Sequence, residues 1–348
     1  MIHARALTRV FTVKKETVHA VRGIDLDVEA GSLVALLGPN GAGKSTTLRM
    51  LTTLLPPSSG TATVAGHDVA REPARVRARI GYVGQKSSAG ENFQVRDELV
   101  SQGRCYGMTT AAAAGRADEL LDLLGLRAQA RRKPGTLSGG QRRRLDIALG
   151  LVHRPDLLFL DEPSTGLDPR SRADIWEHIT RLREVYGTTL FMTTHYLEEA
   201  DTMAERVVIV DGGRIIADGT AGRLKNELAG DHITVTTRTE AEAATAATVA
   251  RAMTETPARA TPETPARAMT ETPATASGSA RQAPDGVTVD GTTVRVRVAR
   301  APAALPAYLR ALEEAGVQAA TAETARPTLD DVFLTLTGRS LTDDDLPA

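Results

Sequence analysis

The chain holds 348 residues, enough for one large domain and a smaller one, each able to bury its own core. Its formal net charge is −1, with acidic and basic residues nearly balanced, so no global field points to nucleic acid or to an acidic tail. The lone Cys105 excludes an internal disulfide framework and a cysteine-based zinc site and suits a reducing cytosol. The start, Met1-Ile2-His3-Ala4-Arg5, lacks the apolar core that export needs, and no stretch approaches the ~18 uninterrupted apolar residues that span a bilayer. Any membrane crossing is therefore expected of another chain.

In chain order, residues 5–30 carry alternating stretches, Arg9-Val10-Phe11-Thr12-Val13, Val18-His19-Ala20-Val21 and Ile24-Asp25-Leu26-Asp27-Val28, which predict antiparallel strands beside the apolar run Leu33-Val34-Ala35-Leu36-Leu37. Aromatics are scarce, so Phe11 stands out; its ring suits stacking on a purine as well as it suits an ordinary core position. The apolar run opens into Gly38-Pro39-Asn40-Gly41-Ala42-Gly43-Lys44-Ser45-Thr46, a complete G-x-x-x-x-G-K-[ST] pattern followed by a helix carrying Leu48 and Leu51. Glycines let the backbone turn its N–H groups toward a phosphate chain, and the helix adds the positive end of its dipole. Lys44 is expected on the β- and γ-phosphates of a nucleotide, and the Ser45 hydroxyl on Mg²⁺, which prefers oxygen ligands.

Pro56-Pro57-Ser58-Ser59-Gly60 marks a turn before the strand candidate Thr61-Ala62-Thr63-Val64, and residues 80–85 read as a further strand ending in Gln85. From Phe93 to Leu126 the pattern turns helical, with Leu120, Leu121, Leu123 and Leu124 on an apolar stripe. The short basic runs 131–133 and 142–144 are expected on solvated helix faces or loops. Ser138 with Gln141 three positions on is the sequence form of a capping box, so a helix starts there and runs to the break at Pro155. Gly139 and Gly140 leave bare backbone amides at that helix tip, open to an anion.

Leu157-Leu158-Phe159-Leu160 is the continuous apolar run of a central parallel strand, and it ends in Asp161-Glu162. Ligands of open α/β sheets sit beyond the carboxyl ends of the strands, so these acids should face the phosphate loop. Phosphoryl transfer needs two carboxylate roles: Asp161 is assigned to the magnesium shell, mostly through water, and Glu162 to polarising the attacking water. Residues 188–194 repeat the design, placing His195 at the end of a third apolar strand, within reach of a γ-phosphate. Asp211-Gly212-Gly213 between apolar runs signals a hairpin.

Beyond residue 229 the composition changes. A strand over 232–237 and a helix over 241–253 precede a duplicated Ala/Thr/Pro/Glu tract, Arg251–Ala258 recurring as Arg267–Ala274, which cannot bury a core; 254–284 is read as a disordered insertion. Valines alternating around Asp290-Gly291, a helix over 303–315, a strand near Val317 and a last helix over 329–336 complete a small α+β domain.

The order of GPNGAGKST at 38–46, Gln85, LSGGQ at 137–141, LLFLDEP at 157–163, STGLD at 164–168 and His195 resembles the ATP-binding-cassette ATPases over roughly residues 3–228. LSGGQ upstream of the carboxylate strand is its most specific part. The tail is similar to that of daunorubicin-type resistance exporter subunits, through HYLEEAD at 195–201 and PTLDDVFL at 327–334. The resemblance implies an α/β P-loop NTPase fold with antiparallel β and helical subdomains at 1–228, and an accessory α+β domain at 229–348. It implies a head-to-tail homodimer in which Ser138, Gly139, Gly140 and Gln141 of one copy face the ATP held by the phosphate loop of the other. Phe11 would stack on adenine, Gln85 would sense magnesium and the membrane partner, Asp168 would couple the two sites, and His195 would hold the γ-phosphate.

The expected activity is ATP hydrolysis driving export of a hydrophobic drug or antibiotic through a separate polytopic permease, from the cytoplasmic face of the membrane, with no nucleic acid involved. The alternative is a soluble cassette ATPase acting on ribosomes or DNA, whose usual marks, paired cassettes or long coiled coils, the sequence lacks. Residues 86–90 and the repeat insertion depart from the family pattern.

Overall fold

The computed structural model describes residues 1–340 except 15, 256–285 and 299. Two compact units emerge: Met1–Leu224 together with the residues from Arg339, and Lys225–Gly338. The division falls a few residues before 228, because the helical turn Lys225–Ala229 belongs to the second unit.

In the first unit, the strands Leu33–Leu37, Leu157–Asp161 and Thr189–Thr194 are buried along their whole length, as continuous apolar runs require. They lie side by side in a six-stranded sheet ordered Arg214–Gly219, Arg206–Asp211, Leu33–Leu37, Thr189–Thr194, Leu157–Asp161, Ile80–Val83. All neighbours are parallel except the terminal Arg214–Gly219 hairpin. A four-stranded antiparallel sheet pairs Ile2–Val13 with Glu16–Val28 and Ser59–Val64, as the alternation at 5–30 predicts. The helix Lys44–Leu51 touches strands of both sheets, and its Leu48 and Leu51 join Ile2, Leu7, Leu26, Phe159 and Phe191 in one dry cluster. Phe159 and Phe191 meet edge to face at 5.7 Å on neighbouring strands.

The helical stretch expected over 93–126 is two helices, Val95–Cys105 and Thr110–Leu123. Gly107, at φ 82°, closes the first, and the Thr109 hydroxyl caps the second by accepting from Ala112 N. The capping box at Ser138 forms with both of its bonds and opens the helix Gly139–Leu151. The strand expected to end in Gln85 stops at Val83, leaving Gln85 in the bend beyond it.

The second unit follows a β-α-β-β-α-β path: Asp231–Thr236, Glu240–Glu255, Val287–Asp290, Thr293–Val298, Ala301–Glu314, Thr321–Ala325. Its sheet runs in spatial order fourth, first, third, second strand, every pair antiparallel, the ferredoxin-like arrangement. The strand expected near Val317 lies instead at Thr321–Ala325. Gly316, at φ 75°, and Val317, whose N–H bonds Leu312 O at 2.9 Å, close the preceding helix, so these residues are used up as a cap. Of the insertion expected over 254–284, the first two residues are the end of the helix Glu240–Glu255 and the rest lies outside the described residues.

Candidate nucleotide site

The phosphate loop joins the strand Leu33–Leu37 to the helix Lys44–Leu51. Two of its glycines are required by space: a Cβ on Gly38 would lie 2.2 Å from Val210 O, and one on Gly43, at φ 99°, would lie 2.4 Å from Ala20 O. The loop walls a concavity of about 240 Å³ lined by Ala20, Pro39, Asn40, Gly41, Ala42, Gly43, Lys44, Ser45, Thr46, Gln85 and Glu162. A larger hollow of about 550 Å³ lies at the amino ends of the same strands, beside Gly31, Pro155 and Thr188. Ligands of such sheets bind at the carboxyl ends, and there the polar groups converge, so the smaller concavity is the candidate site.

Lys44 is almost wholly buried, and its Nζ reaches back to donate to Gly38 O at 2.6 Å and Pro39 O at 3.0 Å. It stands 3.7 Å from Glu162 Oε1, which is also 3.4 Å from His195 Nδ1, an ion-pair distance looser than a formed hydrogen bond. Glu162 takes a left-handed φ of 47°, and its N–H donates to Thr193 Oγ1 at 3.0 Å. A glutamate held in that region stores strain, a cost concentrated at sites where side-chain aim matters. The neighbouring His195 holds the Glu162 carboxyl below its usual value, opposed by burial and helped by Lys44, so Glu162 stands as a carboxylate.

Asp161 is fully buried; its Oδ1 accepts from Ser45 Oγ at 3.0 Å and Thr193 Oγ1 at 2.7 Å. Its Oδ2 has no hydrogen-bond partner among the described residues. One threonine hydroxyl thus accepts from the Glu162 backbone and donates to Asp161, fixing both acids from the adjacent strand.

The remaining predicted residues lie apart from this concavity. Phe11 is half-buried on the strand Ile2–Val13, with the Arg9 guanidinium 4.7 Å from its ring centre, and does not line the cradle. Ser138 and Gly139 are exposed at their helix tip, while Gly140 is buried so closely that an added Cβ would lie 2.9 Å from Ser171 Oγ. Gln141 closes the capping box. Asp168 caps the helix Pro169–Tyr186 through Ser171 N at 2.9 Å and Ser171 Oγ at 2.7 Å, which lower its pKa.

The basic run 142–144 is not a solvated face. Arg143 is buried and donates to the carbonyls of Pro163 at 2.6 Å, Gly84 at 2.5 Å, Asp161 at 3.2 Å and Glu162 at 3.3 Å. Burial pushes its pKa down, against the pull of Asp146 and Asp161. Composition hides such a residue; the available signal was its place on the inward face of the helix, between Gly140 and Ile147. Glu199 was also missed: buried, it accepts from Ser164 Oγ and, at 3.0 Å, from Thr194 Oγ1, tying the segment after Glu162 to the segment before His195.

The ABC transporter family model matches residues 21–165. The chain is 44% identical over 324 residues to the daunorubicin resistance ATP-binding protein DrrA3 of Streptomyces coeruleorubidus, covering 92% of this chain and 91% of that protein. It is 46% identical over 220 residues to the doxorubicin resistance ATP-binding protein DrrA of Mycobacterium tuberculosis, covering 63% and 66%. Among solved structures it is similar to a dimeric ATP-binding cassette in a post-hydrolysis state bound to ADP and Pi, with a TM-score of 0.59 and 25% identity, covering 63% of this chain and 98% of that one. Identity of that extent along nearly the whole length, over a strand, phosphate loop and acidic strand end of the geometry described above, places the chain in the ABC transporter ATP-binding family as an ATPase of that type.

Proposed function

We propose that the chain is the ATP-hydrolysing subunit of a drug exporter, peripheral to the cytoplasmic face of the membrane, which works on a separate permease as a head-to-tail homodimer. The observation that carries the catalytic part is the convergence of Lys44 and His195 on Glu162 Oε1 at the mouth of the loop. The phosphates lie along the inward N–H groups, with the Lys44 ammonium against their charge. Glu162 takes a proton from water as the water oxygen adds to the γ-phosphorus and the bond to the leaving ADP oxygen breaks. His195 supports the γ-phosphate. Gln85, on the cradle wall, orders the same region.

Magnesium fits the residues present: a buried Asp161 Oδ2 without a partner stands on the carboxyl group that Ser45 already touches, an all-oxygen set suited to a hard cation completed by phosphate and water. Bound there, it would neutralise charge on the β- and γ-phosphates. The exposure of Ser138 and Gly139 supports the second half of the proposal, since an exposed helix tip can serve the cradle of another copy. Phe11 is assigned to the adenine and Asp168 to communication between the two sites.

No helix among the described residues is long and apolar enough to cross a membrane, which leaves translocation to a partner. A groove of about 220 Å³ lined by Leu54, Tyr82, Ser88, Gln102 and Tyr106, with Leu54 and Tyr106 exposed, offers that partner a seat next to the Gln85 loop. The relatives' names, which speak of daunorubicin and doxorubicin resistance, support a hydrophobic drug or antibiotic as the cargo. The test is reconstitution with a polytopic membrane protein that co-purifies with this chain: ATP-dependent drug efflux from vesicles, lost in Glu162→Gln, is expected. Recovery of rRNA or DNA in place of a polytopic protein on pull-down overturns the exporter reading. Cysteines at 138 and in the loop at 38–45 should crosslink between copies under ATP; their failure to do so removes the sandwich.

A further inference from the structure

The helix Gly139–Leu151 carries two buried charges one turn apart, Arg143 and Asp146, that the hydrolytic step does not use. Both hold the loop that contains Gln85. Arg143 Nη1 donates to the carbonyl of Gly84, immediately before Gln85. Asp146 Oδ1 accepts from Ser87 Oγ at 3.2 Å, Ser88 N at 2.8 Å, Ser88 Oγ at 3.0 Å and Ala89 N at 3.3 Å, two to four residues after it. Gln85 therefore hangs between two anchors that belong to one helix. The other nitrogens of Arg143 grip the main chain of residues 161–163, which aims Glu162.

A buried guanidinium whose hydrogen bonds go to backbone carbonyls gives up hydration without gaining a carboxylate in direct contact, so it is a poor device for stability alone. It is a good device for geometry. A planar fork of three nitrogens reaches carbonyls of separate segments from different points, where a lysine has a single nitrogen to offer. Residues 87–89 are the segment that Asp146 collects.

We infer that Arg143 and Asp146 are positioning residues that tie the Gln85 loop and the turn at 161–163 to the helix tipped by Ser138–Gln141, so that displacement of the tip moves Gln85 and Glu162 together. The inference rests on the proposed roles of Gln85 and Glu162. A rigid helix transmits an axial or tilting displacement along its length, and the two anchors deliver it to both sides of the cradle. An ATP contact at the tip is thereby converted into alignment at the reacting groups.

The experiment compares Asp146→Ala with Asp146→Asn in the full chain, by ATP turnover and by direct nucleotide binding. Asparagine keeps a carbonyl oxygen for the Ser88 and Ala89 N–H groups, so it should retain turnover close to wild type. Alanine should lower kcat about 10²-fold, the effect of a misplacement near 1 Å, with the KM for ATP and nucleotide affinity unchanged because the Lys44 cradle is untouched. Arg143→Lys should fail to rescue what Arg143→Ala loses; where the arginine variants do not fold, the aspartate pair carries the test. In a cycle with Gln85→Ala, the double variant should be no slower than Gln85→Ala alone, since Asp146 acts through Gln85. Multiplicative losses, equal damage by alanine and asparagine, or full turnover in Asp146→Ala each overturn the inference. Glu162→Gln, run alongside, separates the readings: if it hydrolyses ATP normally, the assigned base is wrong, whereas an inactive Glu162→Gln beside a normal Asp146→Ala removes the positioning role only.

Discussion

The two units bury different things. All the described buried polar or charged side chains except Thr237 lie in the first unit, among them Lys44, Arg143, Asp146, Asp161 and Glu199. The second unit packs Ile233, Val235, Val294, Val296, Tyr308 and a row of alanines from Glu240–Glu255 into an apolar core, with the Tyr308 hydroxyl donating to Ala246 O at 3.0 Å. That burial pushes the Tyr308 pKa up to about 12. Burying charge costs stability unless it is paired and hydrogen-bonded, so a protein that concentrates such groups in one place has a chemical use for them there. Among the described residues, the first unit holds the buried charges and the nucleotide cradle, while the core of the second is apolar.

The sharpest way to break this comparison is to remove one charge from the first unit. Glu162→Gln should lower ATP turnover ~10²–10⁴-fold with the fold and nucleotide binding intact, as expected for loss of one placed base. The counterpart in the second unit is Tyr308→Ala, which should lower stability by about 3–5 kcal/mol on loss of a buried ring, while ATP turnover of the folded fraction stays near wild type. A turnover loss matching that of Glu162→Gln would show that the second unit shares in the chemistry.

Acid should sharpen the contrast between fold and site. Burial holds His153 and His178 in the first unit, and His232 in the second, below the ordinary 6.5. Each folded form prefers the neutral ring, so the unfolded chain binds more protons below pH 6.5, and stability present above that value is lost as pH falls through the folded pKa values. Glu162 has its carboxyl lowered from 4.5, so its share is lost only at still lower pH. Melting temperature should therefore drop below pH 6.5 before the base is protonated; activity of the still-folded protein that vanishes at pH 6 would contradict the ionised Glu162. The smallest effect is expected of Ser138→Ala, which removes half of a capping box and should cost about 1 kcal/mol of stability. A turnover loss far beyond what that small drop in melting temperature explains is the signature of a Ser138 that serves another copy's nucleotide.

Much of the site could be read from local chemistry. The phosphate loop, the strand ending in Asp161-Glu162 and the capping box at Ser138 are short contiguous signals, each carried by the residues of its own segment. The misreadings share a cause. Arg143 looks like one of a solvated basic run until Gly84 and residues 161–163 are folded against it. The strand expected near Val317 fails because Gly316 turns the chain into a helix cap, and a strand forms only where Asp231–Thr236 offers an edge.

By itself, the sequence determined the elements, their order and the chemistry each strand end carries, because periodicity, caps and glycine loops act over a few residues. Only the tertiary structure decided that one threonine would bridge both acids, that Lys44 and His195 would meet at the same carboxylate oxygen, and that a single helix would hold the Gln85 loop at both ends. Those contacts join residues far apart in the chain, and their distances depend on the packing of the sheet as a whole.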